Sequence, residues 1–238
     1  MKTVIASAIL ALFAGTVAAS PSAGDFAVST GSAALLSGSA STARSANNGI
    51  AISGASNQSV AGAAVGASSG SHNTWYSYTP HNGGSASISG DVYTGSKSTA
   101  YNSSAGQATG GAIAGGAATA EASGAGAFRT PNTFGIVAGQ TDSTTANVAV
   151  SGRNGFAGIA AGNVSGFDAS ASAHYQSSNW GQKVDLTGSS SSNTYSVSGR
   201  DQLDLGNAAV FGVNGGDATS GALAGARGNV SSWNYYND

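Results

Sequence analysis

The chain has 238 residues, a formal net charge of −2, and only 8% charged residues. It has neither a basic patch nor an acidic run, so we expect no nucleic-acid partner. Cysteine is absent, so the fold is held without disulfides. Glycine, alanine and serine make up about half of the chain, so backbone pairing and close packing must do much of the stabilising that large side chains usually do.

The first residues have the features of a secretory signal peptide. Lys2 gives a basic start, residues 4–17 form an apolar run, and small residues end at Ala19. This pattern predicts a cleaved signal peptide at 1–19 and a secreted or extracellular-surface location. The run is too short for a membrane span, and no later run is long enough either.

Two regions follow the predicted signal peptide. Residues 20–48 are small, polar and aperiodic, which predicts a flexible N-terminal arm. Residues 49–238 carry a recurring pattern and are predicted to form one β-repeat domain.

The clearest strand pattern lies between residues 108 and 128. Every second residue there is alanine or glycine, and successive side chains of a strand point to opposite faces. The segment therefore predicts a strand with one face that carries nothing larger than a methyl group, which lets another backbone come close. The residues of this face are Ala108, Gly110, Ala112, Ala114, Gly116, Ala118, Ala120, Ala122, Gly124 and Gly126.

Small residues also recur over longer distances. A glycine followed by small or apolar residues returns at a spacing of roughly two dozen residues, which indicates about seven units of about 24 residues. An aromatic-rich insert at 70–84 widens one interval. Each unit reads as strand, turn and strand, with turns predicted at 129–132, 140–144, 152–155, 162–166, 199–201 and 216–217. The recurring glycines are Gly54, Gly90, Gly115, Gly139, Gly162, Gly188 and Gly215.

The predicted fold class is therefore all-β, as a Gly/Ala/Ser-rich β-repeat array. A β-solenoid stacks equivalent side chains of successive units, which suits the recurring glycine, alanine and phenylalanine positions. The alternative is an antiparallel meander or sandwich in which each unit is one hairpin.

An export signal, strand-turn-strand units of this length, small residues and no cysteine together resemble the subunits of curli-type functional amyloid fibres. The resemblance is architectural and covers about residues 49–233. It implies a secreted subunit that associates with copies of itself. The glutamines of this chain share no common position in the units, so no functional residue is carried over.

The sequence predicts no catalytic, cofactor or metal site. Glu121 is the only glutamate, and Asp201 and Asp204, the closest acidic pair, would not share a strand face. His72 and His81 lie in the same insert, but no cysteine or nearby acidic residue completes a metal site with them. We therefore expect a protein that is not an enzyme.

Aromatic residues flanked by small polar ones are the candidate surface contacts. They suit glycan or cell-surface recognition, and they equally suit capping the ends of a core made of small side chains. The candidates are Trp75, Tyr76, Tyr78, Tyr175, Trp180, Trp233, Tyr235 and Tyr236.

Three functions remain open at this point. The first is a secreted, non-enzymatic structural protein that forms or decorates an extracellular fibre by self-association. The second is an adhesin or tip protein that recognises a receptor or a glycan through its aromatic residues. The third is ice binding through a flat solenoid face, which would be expected to carry a regular threonine ladder, whereas threonine is scattered here.

Overall fold

The computed structural model describes residues 25–44, 49–76, 79–177 and 184–226, and the described residues contain no helix. The predicted signal peptide lies outside these ranges. The chain is all-β, as predicted. Its strands are β1 (Phe26–Arg44), β2 (Ile50–Tyr76), β3 (Thr79–Ala105), β4 (Thr109–Arg129), β5 (Thr133–Ser177), β6 (Val184–Gly215) and β7 (Ala218–Ala226).

The strands form four long passes of the chain. The first pass is β1 with β2, the second is β3 with β4, the third is β5, and the fourth is β6 with β7. Each pass pairs antiparallel with the next: β2 with β3, β1 with β4, β3 and β4 with β5, and β5 with β6 and β7. This is an antiparallel meander, as in the alternative prediction, but β5 alone has 45 residues, so a unit of about 24 residues does not form one hairpin. The parallel stacking expected for a solenoid is not found among the described strands.

The meander is folded in half across the middle of every pass, and we call this line the crease. One layer contains β1, β4, residues 133–151 of β5, residues 208–215 of β6, and β7. The other layer contains β2, β3, residues 155–177 of β5 and residues 184–206 of β6. One sheet thereby provides both layers of the molecule.

Backbone geometry at the crease explains why the sheet folds there. Gly106, Asn154 and Gly206 have φ values of 67°, 53° and 68°, a left-handed conformation that glycine and asparagine adopt more easily than other residues. The pairing of β5 with β6 shifts register between Ser151 and Gly155. The Asn154 side chain accepts a hydrogen bond from the Ser104 backbone N–H at 2.7 Å, which joins the second and third passes at the crease.

The alanine and glycine face predicted in β4 is buried between the layers. Ala112, Ala114, Ala118, Ala120 and Ala122 are all buried. Strands β3 and β4 are not paired with each other, yet their Cα atoms approach within 8 Å across the layers. Sheets usually stack about 10 Å apart, so the small side chains allow the close approach that the alternation predicts.

The interior alternates between apolar and polar zones. A larger apolar cluster surrounds Phe128 and Phe167, and a smaller one surrounds Ala157 and Ile159. Between them lies a belt of buried hydroxyl and amide groups. In this belt the Thr94 hydroxyl lies 2.6 Å from that of Ser143, and such hydrogen bonds offset the cost of burying polar groups. The amide oxygens of Asn147 and Asn163 are buried there without a hydrogen-bond partner.

The structure differs from several of the turn and loop predictions made from the sequence. The turn at 129–132 is found between β4 and β5. The turn at 216–217 is wrong, because these residues only interrupt the strand and β7 continues β6 along β5 in the same register. The turns predicted at 140–144, 162–166 and 199–201 are wrong, because these residues lie inside β5 and β6. Residues 152–155 form part of the crease. Within the segment predicted to be a flexible arm, Phe26–Arg44 forms β1 and pairs with β4 along its whole length.

Candidate association surfaces

Both sides of the folded sheet end in long strands with an open edge. On one side β1 pairs only with β4 and β2 only with β3, and on the other β6 and β7 pair only with β5, as far as the described residues extend. Each side is therefore a double edge with one strand segment in each layer. An open edge presents unpaired backbone N–H and C=O groups to any chain that can pair with them.

The residues that usually protect an open edge are scarce here. Natural sheets place lysine, proline or bulges on such strands to prevent edge-to-edge pairing. None of β1, β2, β6 and β7 contains lysine or proline, β2 and β7 contain no Asp, Glu, Lys or Arg, and β1 has only Arg44 at its end. The fourth pass is better protected, because Arg200, Asp201 and Asp204 lie in the middle of β6.

An exposed apolar band crosses the outer face of the layer that contains β1 and β4. It consists of Leu36, Ile113, Val148, Phe211 and Val213, one or two from each pass that contributes to this layer. Leu36 is 73% exposed and Phe211 is 66% exposed. The band is interrupted by a shallow groove over Gly115. Exposed apolar patches that extend over several strands are typical of interaction surfaces.

The opposite outer face carries aromatic rings that lie over glycines. Tyr101 covers Gly54 and Tyr93 covers Gly62, so that an added Cβ would stand 2.3 Å and 2.4 Å from the nearest ring carbons. Both tyrosines remain exposed, and Phe156 lies beside Tyr101 on the neighbouring strand. Neither tyrosine is among the contact residues predicted from the sequence. The sequence does contain a signal for this arrangement. Gly54 and Gly62 are as far apart along β2 as Tyr93 and Tyr101 are along β3, so antiparallel pairing can place each tyrosine opposite one glycine.

Rows of serine hydroxyls lie on the same outer face. Hydrogen bonds join Ser170 with Ser191 at 2.9 Å and Ser172 with Ser189 at 2.7 Å, between β5 and β6. Ser68 on β2 bonds in the same way to a serine of β3. These side chains form a flat hydroxyl-bearing area across all four passes.

One tyrosine on this face has a perturbed titration. The Tyr195 hydroxyl donates a hydrogen bond to Asp91 Oδ1 at 2.6 Å. This hydrogen bond is the main cause that raises the pKa of Tyr195, with smaller contributions from burial and from the charge of Asp91. A hydrogen bond to the protonated form of a group favours that form.

Most of the aromatic residues predicted as surface contacts lie outside the described residues. These are Tyr78, Trp180, Trp233, Tyr235 and Tyr236. For Trp75 and Tyr76 the structure gives only the backbone, which belongs to the end of β2.

Tyr175 corrects one of the contact predictions. Its side chain points between the layers and is only 7% exposed, so it is not available as a surface contact. Residues 70–84 are likewise not a separate insert. Their described part forms the paired ends of β2 and β3.

Three further observations bear on function. No helix in the described ranges is long and apolar enough to cross a membrane. Within the same ranges, no group of three or more histidine, aspartate or glutamate side chains is placed to hold a metal ion. Comparison of the chain with models of protein families and with curated proteins found no match.

Proposed function

We propose that this chain is a secreted, non-enzymatic structural protein whose copies associate edge to edge into an extracellular or cell-surface fibre. The observation that carries the proposal is the pair of long open edges, of which the edge formed by β1 and β2 is almost free of charge and contains no proline. The edges provide the contacts, and the low charge of the chain offers little electrostatic resistance to association.

The geometry of the two edges suits pairing between different edges of neighbouring copies. The first and last passes run in opposite directions because the meander has four passes. A second copy whose first pass is placed beside the fourth pass of the first copy therefore continues the antiparallel alternation. Each edge spans two layers, so one contact forms two ladders at once. Contacts between unlike surfaces do not close in pairs and can produce an open filament.

The experiment that tests this proposal uses residues 20–238, without the predicted signal peptide. The protein is incubated at high concentration and examined by electron microscopy and fibre diffraction. Ordered filaments with a strand spacing of about 4.7 Å are the expected result. A protein that stays monomeric and compact at high concentration would refute the proposal.

A matched pair of valines separates edge pairing from stacking of the outer faces. Val60 lies on the edge strand β2 and Val164 lies on the central strand β5, and their side chains are 50% and 45% exposed on the same outer face. We expect Val60→Lys to slow filament formation strongly, because a lysine on an edge strand opposes pairing. Val164→Lys should have little effect. Equal effects of the two substitutions would point to stacking of the faces instead.

A discrete adhesin is a second candidate, and the aromatic surface around Tyr101 favours it. Tyr101 and Phe156 present ring faces on a flat support, an arrangement that suits stacking on sugar rings. A screen of glycans and cell surfaces with residues 20–238 tests this candidate. Loss of binding in Tyr101→Ala with an unchanged circular dichroism spectrum would support it, and the absence of any ligand would remove it.

Ice binding is a third candidate, favoured by the rows of serine hydroxyls rather than by a threonine ladder. The hydroxyls repeat across the sheet at the separation of neighbouring strands, about 4.7–4.9 Å. A measurement of thermal hysteresis at high protein concentration tests this candidate. A solution that shows no hysteresis would exclude it.

A further inference from the structure

Two histidines from non-adjacent strands meet on the outer face that carries the serine rows. His72 lies on β2 and His174 on β5, and Gly83 of β3 stands between them as the direct partner of both. Because Gly83 has no side chain, the two imidazole rings approach each other above it. Their centroids are 6.1 Å apart and their planes differ by 32°.

The ring atoms converge on the space above the glycine. A Cβ atom built on Gly83 would stand 3.1 Å from His72 Cε1 and 3.2 Å from His174 Nδ1. The surrounding depression is lined by hydroxyl groups of Ser85, Ser172 and Ser189. The two rings therefore border a shared open space with room for a small ion.

The separation of the rings fits one metal ion held by both. A zinc–imidazole bond is about 2.0–2.1 Å long. The ring centroid lies about 1.1 Å behind the nitrogen, so two rings on one ion have centroids about 5 Å apart at a tetrahedral angle and about 6 Å apart at wider angles. The observed 6.1 Å is within reach of this geometry after small rotations of the side chains.

We propose that His72 and His174 form a two-histidine site for a divalent transition-metal ion of the Zn²⁺, Ni²⁺ or Cu²⁺ class. Imidazole nitrogens favour these ions over Mg²⁺ and Ca²⁺, which prefer oxygen ligands. Cu²⁺ binds most tightly among them by the general order of affinities. Water completes the coordination. The bound ion joins β2 to β5 across β3, so it stabilises the folded state by binding it preferentially.

The test measures binding of ZnCl₂ and CuCl₂ to residues 20–238 by isothermal titration calorimetry, with a protein that carries no histidine tag. We expect one ion per chain, and at least tenfold weaker binding in His72→Asn and in His174→Asn. His81→Asn is the matched control. His81 lies in the same hairpin, with Nε2 3.3 Å from the Thr79 hydroxyl, and its substitution should leave the affinity unchanged. Undiminished binding in either of the first two variants would overturn the proposal.

A spectroscopic measurement on the unsubstituted protein keeps the proposal testable if a variant does not fold. Electron paramagnetic resonance of the Cu²⁺ complex reports the number of coordinated imidazole nitrogens, and two are expected. A single nitrogen, or no complex at one equivalent of Cu²⁺, would refute the shared site. The thermal midpoint of unfolding should rise with Zn²⁺ concentration in the unsubstituted protein and stay constant in His174→Asn.

Discussion

Truncation of Phe167 is the most direct test of how the two layers pack. Its ring is 2% exposed and lies in the larger apolar cluster. Cβ atoms built on Gly90 and Gly139 would stand 2.5 Å and 2.4 Å from ring carbons of Phe167. The ring is therefore in contact with the backbone of β3 in its own layer and with the backbone of β5 in the other layer.

The expected loss of stability in Phe167→Ala follows from the buried area of the ring and from the residues that surround it. A phenylalanine side chain buries about 150–250 Å², which at about 25 cal/mol per Å² corresponds to about 4–6 kcal/mol as an upper bound. Alanine keeps part of this area, but Gly90 and Gly139 have no side chains that could move into the cavity. We expect Phe167→Ala to lower the free energy of unfolding by about 3–5 kcal/mol.

Phe211→Ala is the matched control, because Phe211 is 66% exposed. Its substitution should change the free energy of unfolding by no more than about 0.5 kcal/mol. Urea denaturation of residues 20–238, followed by circular dichroism at a concentration below the onset of association, measures both values. A cost below about 1 kcal/mol for Phe167→Ala, or equal costs for the two variants, would refute the close packing of the layers.

Two further predictions concern the small-residue face and the perturbed tyrosine. Ala118 is 1% exposed between the layers, so Ala118→Leu should lower the free energy of unfolding by about 1–3 kcal/mol through overpacking. Thr119→Leu on the exposed face should leave it nearly unchanged. Equal losses of stability in urea denaturation of the two variants would contradict this prediction. Asp91→Ala should lower the pKa of Tyr195 in an absorbance titration of tyrosinate, because it removes the hydrogen bond that raises this pKa. A raised pKa in the folded state gives stability that is present below the unfolded-state value of about 10 and lost as pH rises through the folded-state value. The stability advantage over Asp91→Ala should therefore shrink above pH ~10, and an unchanged titration would count against the hydrogen bond.

Local alternation was sufficient to predict strands but not their pairing. The period of two in β4 identified its buried face because it depends only on the residues of that strand. The same strand could belong to a solenoid or to a meander, since the choice depends on which distant segment it pairs with. Solenoid stacking was favoured on the recurrence of small residues, but such residues suit any closely packed layers.

The wrong turn at 140–144 has a specific physical cause. Gln-Thr-Asp-Ser-Thr has the composition of a turn, yet Thr141, Ser143 and Thr145 all point between the layers. There Thr141 donates to the Ser165 hydroxyl at 3.0 Å, and Thr94 lies 2.8 Å from the Thr145 hydroxyl. Partners from β3 and from the other half of β5, both in the opposite layer, satisfy these polar groups, so the segment stays extended. No local pattern reveals such partners.

The candidate association surfaces were likewise only partly predictable from the sequence. The recurring units, the small-residue faces and the low charge predicted a chain that associates with itself, and the open edges fit that hypothesis. The individual contact residues were harder to predict because exposure depends on the face that a side chain occupies. Tyr175 points inward, whereas Tyr93 and Tyr101 are displayed over glycines of the neighbouring strand. The pair His72 and His174 is likewise created by strand register alone.

The crease also has a consequence for how the molecule reaches its folded state. Because each pass contributes to both layers, many contacts between the layers join residues that are close along the chain. Ser96 Oγ donates to the backbone oxygen of Gly116, only 20 residues away, and Asn163 donates to Ser143 at the same sequence separation. The ladders between passes, in contrast, join residues far apart along the chain, such as Phe26 and Ala127, and distant pairings slow folding. The two halves of one pass can therefore meet across the crease before the passes pair, and we expect pairing between the passes to limit the folding rate.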